Sequence, residues 1–384
     1  MAQEDETTKF FRVRDVIRTE FAVRDSYVLE GTPTYLVSQG PDVVEKLNRL
    51  SLKLASEKLQ LNMARQENDL LIQVSPSVAR PTPKRGLLRV NLPVILFLVT
   101  VATVTASGYF AASGYVQILQ LLNRISPQDV NSAIWTQTVL YTVTIMSTIG
   151  LHELGHTLAC RRHKVEASFP MFIPGIPGIT PGTFGAVIRQ KSPALNRNQL
   201  FDIGIAGPLV GFAVALVASF AGYARSLPIT LAEYNYLTSK LGGGEGMILL
   251  PLLFMYVAPY LVTQANAYTY YLHPLGWAAG LGTLVTVLNA LPIGQLDGGH
   301  VSRAILTPKW HRLLGYIMIG VMILAGWFPM ALLVLLLIRT DHPGLLDEAT
   351  PLSRGRKVLA VVFALMFLAC FTLSADSPLT FLFP

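Results

Sequence analysis

Long uncharged stretches dominated by apolar residues alternate with short polar segments over most of the chain after residue 89. A helix that crosses the hydrocarbon core of a bilayer needs about 20 consecutive apolar residues, and several of these stretches supply them. The pattern therefore predicts an all-α polytopic membrane bundle of about 6–7 spans with a re-entrant or β-like loop. The predicted spans are 91–112, 133–160, 201–223, 275–293 and 358–375, with a segment at 247–263 that either spans or is re-entrant and a hairpin of short helices at 311–338.

The first 75 residues have a different pattern, in which charged residues stand between short apolar groups. Three short segments have the composition typical of strands, at residues 27–29, 35–37 and 70–74. From Asp42, apolar side chains recur at helical spacing, at Val43, Leu47, Leu50, Leu54 and Leu61. These features predict a small α+β domain over residues 1–75, in which no catalytic constellation is visible.

A basic linker at residues 76–89 separates this domain from the membrane-embedded domain predicted over residues 90–375. Because Lys and Arg next to a span favour the cytoplasmic side, we expect the N-terminal domain to be cytoplasmic. The acidic start of the chain has neither the apolar core of a secretory signal nor the composition of a transit peptide. We therefore expect a multi-pass protein of a bacterial cell membrane, with a thylakoid membrane as the alternative for a cyanobacterial chain.

Composition supports the membrane class. The 384 residues are 52% hydrophobic and 14% charged, whereas soluble domains carry roughly 25% charged residues. Two cysteines provide no disulfide framework. The formal charge of +7 is modest and is not clustered on a basic face. These observations exclude a soluble enzyme, a nucleic-acid-binding protein and a secreted disulfide scaffold.

The sharpest chemical signal is His152-Glu153-Leu154-Gly155-His156, within a predicted span. Residues four apart share one face of a helix, so two imidazoles can bind one metal ion while Glu153 lies beside it. Ionisable side chains in an apolar segment are costly unless they are paired or functional. This motif therefore predicts a metal site.

A second motif, Asn289-Ala-Leu-Pro292-Ile-Gly-Gln-Leu-Asp297, supplies a candidate third ligand, since a catalytic zinc usually has three protein ligands and a water. Asp297 follows a broken apolar helix and has no charge partner nearby in the sequence, so we expect it to coordinate. It reaches the histidines only if 247–263 is re-entrant or interfacial rather than a full span. Asn289 either donates a hydrogen bond to a substrate carbonyl or caps the broken helix end.

Together these motifs resemble those of the site-2 protease family of intramembrane zinc proteases. The resemblance rests on His152 to His156, on Asn289-x-x-Pro292-x-x-x-Leu-Asp297-Gly, and on Phe-Asp-Ile-Gly-Ile-Ala-Gly-Pro at 201–208 between them. It covers about residues 90–375. The C-terminal polar segment is similar to that of the bacterial, cyanobacterial and plastid branch, and no PDZ or CBS module is visible.

Carried onto the matching positions, the resemblance implies that His152, His156 and Asp297 bind one catalytic Zn²⁺ and that Glu153 is the general base that activates a zinc-bound water. It also implies that Asn289 orients the substrate or stabilises the oxyanion. The implied reaction is hydrolysis of a peptide bond within or next to a substrate transmembrane helix, as in regulated intramembrane proteolysis. The expected partners are single-span membrane proteins and the lipid bilayer, without nucleic acid, and the oligomeric state is open.

Proline and glycine alternate in the loop at residues 165–200. Irregular backbone at membrane depth is tolerated only where it is buried in protein or lines a cavity. We expect part of this loop to form an edge strand with which an extended substrate pairs, the alternative being a connecting loop packed on the bundle. The predicted substrate contacts are Thr183, Phe184, Gly185, Ala186 and Val187, together with Pro292.

Two other classes of function remain open from the sequence. A divalent-metal transporter also places histidines and carboxylates inside a membrane, and an inactive membrane scaffold requires no chemistry. Glu153 discriminates between the first class and a protease, because a transporter uses it as a ligand whereas a protease needs it as a base and keeps zinc without it. The intact set of four polar residues argues against the scaffold.

Overall fold

The computed structural model describes residues 6–29, 32–38, 42–57, 59–66, 69–76, 92–188, 190, 194–241, 267–337, 345 and 350–371. The chain divides into two compact units. The first comprises residues 1–85, 192–200 and 343–353, and the second comprises residues 86–191, 201–342 and 354–384. The predicted segment at 247–263 lies outside the described residues.

The first unit contains the small α+β region expected near the N-terminus. Helices α1 (Glu6–Arg18) and α2 (Val43–Ser56) accompany an antiparallel sheet of order β1-β2-β4-β3. Its strands are β1 (Val23–Leu29), β2 (Thr32–Ser38), β3 (Leu59–Gln66) and β4 (Asp69–Pro76). Alternate residues of β4 point into the core, because successive side chains of a strand face opposite sides. The core consists of Val13, Ile17, Phe21, Tyr35, Val37, Leu47, Leu50, Leu54, Leu59, Leu61, Leu70, Ile72 and Val74.

The predicted extension of the apolar face of α2 to Leu61 is wrong, because α2 ends at Ser56. Leu59 and Leu61 are both buried on β3, where residues two apart share a face. Leu61 pairs with Val74 across the sheet. A separation of seven residues from Leu54 is a helical spacing, but it does not show that the helix ends at Ser56 before Leu61 is reached.

The second unit is mostly helical. Its two short antiparallel sheets pair β5 (Met171–Pro174) with β6 (Thr183–Val187) and β7 (Leu227–Ile229) with β8 (Thr269–Tyr271). The main helices are α3 (Leu92–Leu121), α4 (Val130–Arg162), α5 (Arg197–Tyr223), α6 (Leu231–Leu241), α7 (Pro274–Ala290), α8 (Asp297–Ile305), α9 (Pro308–Leu324), α10 (Phe328–Leu337) and α11 (Arg354–Cys370). Helix α4 packs against α3 and α7, and β5 packs against α3.

The second unit has the outer surface of a membrane protein. Among the described residues, α3 and α5 are long and apolar enough to cross a bilayer, and α7 is a shorter apolar helix. Helices α4 and α11 also expose large apolar side chains, which water-facing helices avoid: Trp135, Val139, Val143, Leu154, Leu158, Val358, Val361, Leu365 and Leu368. Helix α9 ends at Leu324 and helix α10 begins at Phe328, within the stretch predicted as a hairpin of short helices. Gly326, between the two helices, has φ +81°. The number of spans stays a prediction.

Candidate metal centre

Helix α4 carries His152 and His156 on one face, because residues four apart are separated by about one turn. Both imidazoles are buried, and so is the side chain of Glu153. The Nε2 atoms of the two histidines lie 3.1 Å apart, and the ring centroids lie 4.8 Å apart. The helix therefore directs two nitrogen ligands at one point.

Asp297, the first residue of α8, completes the group. Its Oδ2 lies 3.1 Å from Nε2 of His152, and its Oδ1 lies 3.2 Å from Nε2 of His156. The approach depends on Gly298, because a Cβ there would collide with the carbonyl oxygen of Ala290 at the end of α7. The fold thus brings together ligand atoms from residues that are 145 positions apart in the sequence.

This group fits a zinc ion by geometry and by the chemistry of its donors. In a tetrahedral site with ligands at about 2.0–2.1 Å, neighbouring ligand atoms are about 3.3 Å apart. Here the two Nε2 atoms are 3.1 Å apart, and each has one oxygen of the Asp297 carboxylate at 3.1 or 3.2 Å. Two imidazole nitrogens and one carboxylate form a usual donor set for catalytic zinc, with a fourth position left open. The centre can therefore hold Zn²⁺.

The backbone of α5 fixes the tautomer of His156. Nδ1 of His156 lies 2.7 Å from the carbonyl oxygen of Ile203. Because a carbonyl oxygen only accepts, Nδ1 carries the proton, and Nε2 of the neutral ring offers its lone pair to the metal position. Gly207, one turn further along α5, lies against the same ring, since a Cβ there would collide with Nε2 of His156. Helix α5 therefore supports this ligand by a hydrogen bond and by a close approach.

Glu153 lies beside the three-residue ligand group and is not a member of it. Its carboxylate is within electrostatic reach of His156, of Asp297 and of the backbone N–H of Ile188. Ile188 directly follows β6, so the carboxylate lies next to the predicted substrate strand. A buried carboxylate held near a metal position is suited to accept a proton there.

The loop predicted to be β-like forms the β5–β6 hairpin, and the predicted run Thr183–Val187 coincides with β6. Among the described residues, β6 pairs only with β5, so its other edge has no strand beside it there. Thr183 is buried and Ala186 is half-buried, whereas Phe184 and Val187 are 63% and 48% exposed. Gly185 pairs with Ile173 in the hairpin register. Within the described part of the chain, β6 therefore has one edge without a neighbouring strand, and it has outward apolar side chains.

Hydroxyl groups of α3 and α4 satisfy the irregular backbone at the hairpin turn. Thr103 Oγ1 donates to the carbonyl oxygen of Gly182 at 2.6 Å. Ser107 Oγ donates to that of Thr180 at 3.2 Å, and the Tyr141 hydroxyl donates to that of Pro181 at 3.3 Å. Non-helical backbone is tolerated among apolar helices where such partners exist.

The structure does not place Asn289 or Pro292 in the ligand group. Asn289 is half-buried at the end of α7, and its amide makes no hydrogen bond with the described residues. Pro292 is half-buried in the short connection between α7 and α8 that leads to Asp297. Their predicted roles toward a substrate stay predictions.

Comparison with known protein families identifies the domain to which this centre belongs. Residues 140–326 match the model of peptidase family M50. The chain carries a peptidase family M50 domain. The matched residues include the three ligands and Glu153 and extend from α4 through α9. The expected resemblance to the site-2 protease family is therefore confirmed.

Two relatives are named as probable zinc metalloprotease EGY1, chloroplastic. The Arabidopsis thaliana protein is 29% identical and aligns with 83% of this chain and 61% of its own length. The Oryza sativa subsp. japonica protein is 33% identical and aligns with 58% of this chain and 38% of its own length. The chain thus spans less than two thirds of either relative. Both names support zinc as the metal of an M50 peptidase, and the plant sources give no support to the expected bacterial membrane. No solved structure matches the chain.

Sequence reasoning missed the groups that orient His156 and Glu153. The carbonyl of Ile203 and the N–H of Ile188 are backbone groups, and no side-chain pattern reveals the partners of backbone groups. Gly207 is part of a Gly-x-x-x-Gly spacing with Gly211, which is typical of helix packing. Its contact with a metal ligand depends on which helix packs there, and the spacing does not show this.

Proposed function

We propose that this protein is an intramembrane zinc endopeptidase that hydrolyses a peptide bond within or next to a transmembrane helix of a single-span membrane protein. The observation that carries the proposal is the convergence of His152, His156 and Asp297 on one point beside the buried Glu153. Ionisable groups among apolar helices are costly, and they mark functional sites. The peptidase M50 domain supports hydrolysis as the reaction.

We assign the roles of the side chains as follows, and their positions support the assignment. When bound, a zinc ion lowers the pKa of a coordinated water and polarises the scissile carbonyl. Glu153 accepts the proton of the attacking water and delivers it to the leaving amine. His152, His156 and Asp297 hold the ion, and the Ile203 carbonyl keeps His156 in its orientation. The side-chain N–H of Asn289 donates a hydrogen bond to the substrate carbonyl.

The open edge of β6 is the proposed site for an extended substrate segment. Main-chain hydrogen bonds to an unpaired strand edge bind a peptide with little dependence on its sequence. The nearness of the Ile188 N–H to the Glu153 carboxylate supports this assignment, because Ile188 directly follows β6. We assign Pro292, in the connection that leads to Asp297, to the path of the substrate. A transmembrane helix hides its carbonyls in hydrogen bonds, so we expect substrates to carry helix-weakening residues near the cut.

We further propose that the second unit spans a lipid bilayer about 6–7 times and that the N-terminal α+β domain (1–75) and its linker (76–89) face the cytoplasm. The outward apolar side chains of α3, α4 and α11 support the bilayer. Exposed cations at the end of α4 and the start of α11 support the orientation, because such residues favour the cytoplasmic side: Arg161, Arg162, Lys164, Arg354 and Lys357.

Glu153→Gln tests the mechanism, because glutamine keeps the size of the side chain and cannot take up a proton. We expect the full-length variant to hold about one zinc per chain by elemental analysis, on the tetrahedral site argued above. We expect its cleavage rate to fall at least about 100-fold. The substrate is a fluorescently labelled single-span peptide in lipid vesicles, with a Gly-Pro pair near one end. Asp297→Ala should lose both zinc and cleavage.

Three results would contradict the proposal in different ways. Undiminished cleavage by Glu153→Gln would remove Glu153 from the mechanism. Loss of zinc from the same variant would make Glu153 a ligand, as expected of a divalent-metal transporter. A well-folded wild-type protein without stoichiometric zinc would contradict the metal centre itself.

A further inference from the structure

A second polar cluster lies near one end of α4 and joins three helices. Asp202 of α5 accepts two hydrogen bonds from Arg356 of α11, from Nε to Oδ1 at 2.7 Å and from Nη2 to Oδ2 at 2.6 Å. It also contacts Nε2 of His163, the residue that directly follows α4, at 2.8 Å. One carboxylate therefore ties α5 to both α4 and α11.

The geometry of this cluster is that of a strong and specific contact. The two parallel hydrogen bonds from the planar guanidinium of Arg356 fix its orientation as well as its distance. The side chains of Arg356, Asp202 and His163 are only 26%, 21% and 21% exposed, which limits screening by water. Lysine in place of Arg356 can supply the charge without the paired geometry.

The cluster bears directly on the metal centre through the next residue of α5. Asp202 precedes Ile203, whose carbonyl oxygen receives the Nδ1 proton of His156. The same helix places Gly207 against the His156 ring. It also brings Gly211 so close to His152 that a Cβ at this position would lie 3.0 Å from Nδ1 of that ring. A small shift or rotation of α5 would therefore break the hydrogen bond and press the helix into the imidazoles.

We propose that Asp202, held by Arg356 and His163, is a positioning residue of the metal centre. It fixes the position of α5, and α5 in turn orients His156 for the metal. This proposal rests on the proposed function, because it concerns the same zinc site. It assigns to Arg356, which lies on a different helix from every ligand, an effect on zinc binding that an ordinary stabilising ion pair does not have.

The chain provides a matched control for this ion pair. Arg124 and Glu233 form another pair with a 2.6 Å contact and side chains 33% and 25% exposed, between the segment after α3 and helix α6. Arg124 also donates to the carbonyl of Pro228 at 3.0 Å. This pair contacts none of the groups that hold His152, His156 or Asp297 in the described residues. Its loss should lower thermal stability without changing the metal site.

The test compares zinc affinity in full-length protein in detergent or vesicles. Metal-free wild type, Asp202→Asn, Arg356→Ala, Arg356→Lys, Arg124→Ala and Glu233→Gln are titrated with Zn²⁺ against a chelator of known affinity. The visible spectrum of the Co²⁺-substituted proteins reports ligand geometry, and a melting curve reports stability. Substitution of a group that orients a metal ligand typically lowers metal affinity about 10–100-fold.

We expect Asp202→Asn and Arg356→Ala to raise the zinc dissociation constant at least about tenfold and to change the Co²⁺ spectrum. Arg356→Lys keeps the charge and should bind zinc more tightly than Arg356→Ala but less tightly than wild type. It also keeps the proposal testable if Arg356→Ala does not fold. Arg124→Ala and Glu233→Gln should stay within about twofold of wild type. Folded Asp202→Asn and Arg356→Ala proteins with wild-type affinity and spectrum would overturn the proposal, as would equal losses in the control pair. A wild type that binds no zinc would instead contradict the proposed function.

Discussion

The two compact units differ in where they place ionisable and large apolar side chains. In the first unit, Leu50 and Ile72 are buried, and the ion pair between Glu20 and Lys53 lies outside that core. In the second unit, His156 and Glu153 are buried while large apolar side chains of the same helix face outward. The second unit therefore differs from the first in burying ionisable side chains within an apolar interior and in exposing many large apolar side chains.

The difference follows from what surrounds each unit. In water, burial of apolar surface is the main stabilising contribution, so the first unit is organised around its apolar core. Next to lipid, outward apolar side chains carry no penalty and buried ionisable groups are costly. Buried apolar residues thus indicate stability in the first unit, and buried ionisable residues indicate function in the second. Substitutions inside each unit should have different kinds of effect.

The largest effect should come from Gly207→Ala, which adds one methyl group to the polar interior. The new Cβ would collide with the His156 ring, so the ring must turn away from the metal position. We expect zinc affinity to fall at least about tenfold, as for other groups that orient ligands. Cleavage of the single-span peptide should fall by about 100-fold or more, because misplaced catalytic groups are very costly. Elemental analysis and the peptide assay measure both.

Gly280→Ala is the control for this substitution. Gly280 lies in the apolar helix α7, and a Cβ there would meet no heavy atom within 4 Å. The same chemical change should therefore leave zinc content and cleavage close to those of wild type. If Gly207→Ala kept wild-type zinc affinity, α5 would not support the ligand as the geometry indicates.

A smaller and purely structural effect is expected for Leu50→Ala in the first unit. Leu50 is fully buried in the core, and such truncations cost about 2–5 kcal/mol of unfolding free energy. Leu52→Ala, on the same helix with its side chain 74% exposed, should change it by less than about 0.5 kcal/mol. Hydrogen exchange of the full chain, read at β2 and β4, measures both. Lower zinc content in Leu50→Ala would show that the core of the first unit also affects the metal centre.

Much of the fold could be predicted from the sequence because its signals are local. The apolar stretches at 133–160, 201–223 and 275–293 correspond to α4, α5 and α7, and the strand at 70–74 lies within β4. Helix α1 was not predicted, because its few buried apolar residues stand among many charged ones. The extension of α2 to Leu61 failed because the helical spacing of Leu61 does not reveal that α2 ends at Ser56 and that β3 begins at Leu59.

The candidate site was predictable to the extent that side-chain chemistry reveals it. The histidines and Asp297 have no plausible role as unpaired groups in apolar segments, so their convergence could be expected. The supporting interactions could not be, because Ile203 and Ile188 act through backbone atoms. Asp202 stands in the motif at 201–208, yet its partner Arg356 is 154 residues away. Such contacts depend on tertiary packing.

The smallest expected effect concerns a charge at the surface of the first unit. Glu20 accepts hydrogen bonds from Lys53 at 2.7 Å and Arg49 at 3.0 Å, and these partners lower its pKa below the usual 4.5. Because the folded pKa lies below the unfolded one, the stabilisation is complete above about pH 5. It is lost as pH falls through the lowered folded value. The side chains of Arg49 and Lys53 are each 46% exposed, so water screens the interaction and its total contribution is small.

Glu20→Gln removes this charge and should therefore differ from wild type only above that pH range. We expect protection of α2 amides against hydrogen exchange, corrected for intrinsic rates, to fall less than about fivefold at pH 7. The two proteins should converge at pH values below the lowered folded pKa of Glu20, where the wild-type carboxyl group is protonated in both the folded and the unfolded chain. A difference that persisted there would mean that Glu20 stabilises the unit by packing rather than by charge. In that case a carboxylate outside the apolar core of the first unit would stabilise it in the same way as a core residue, by packing.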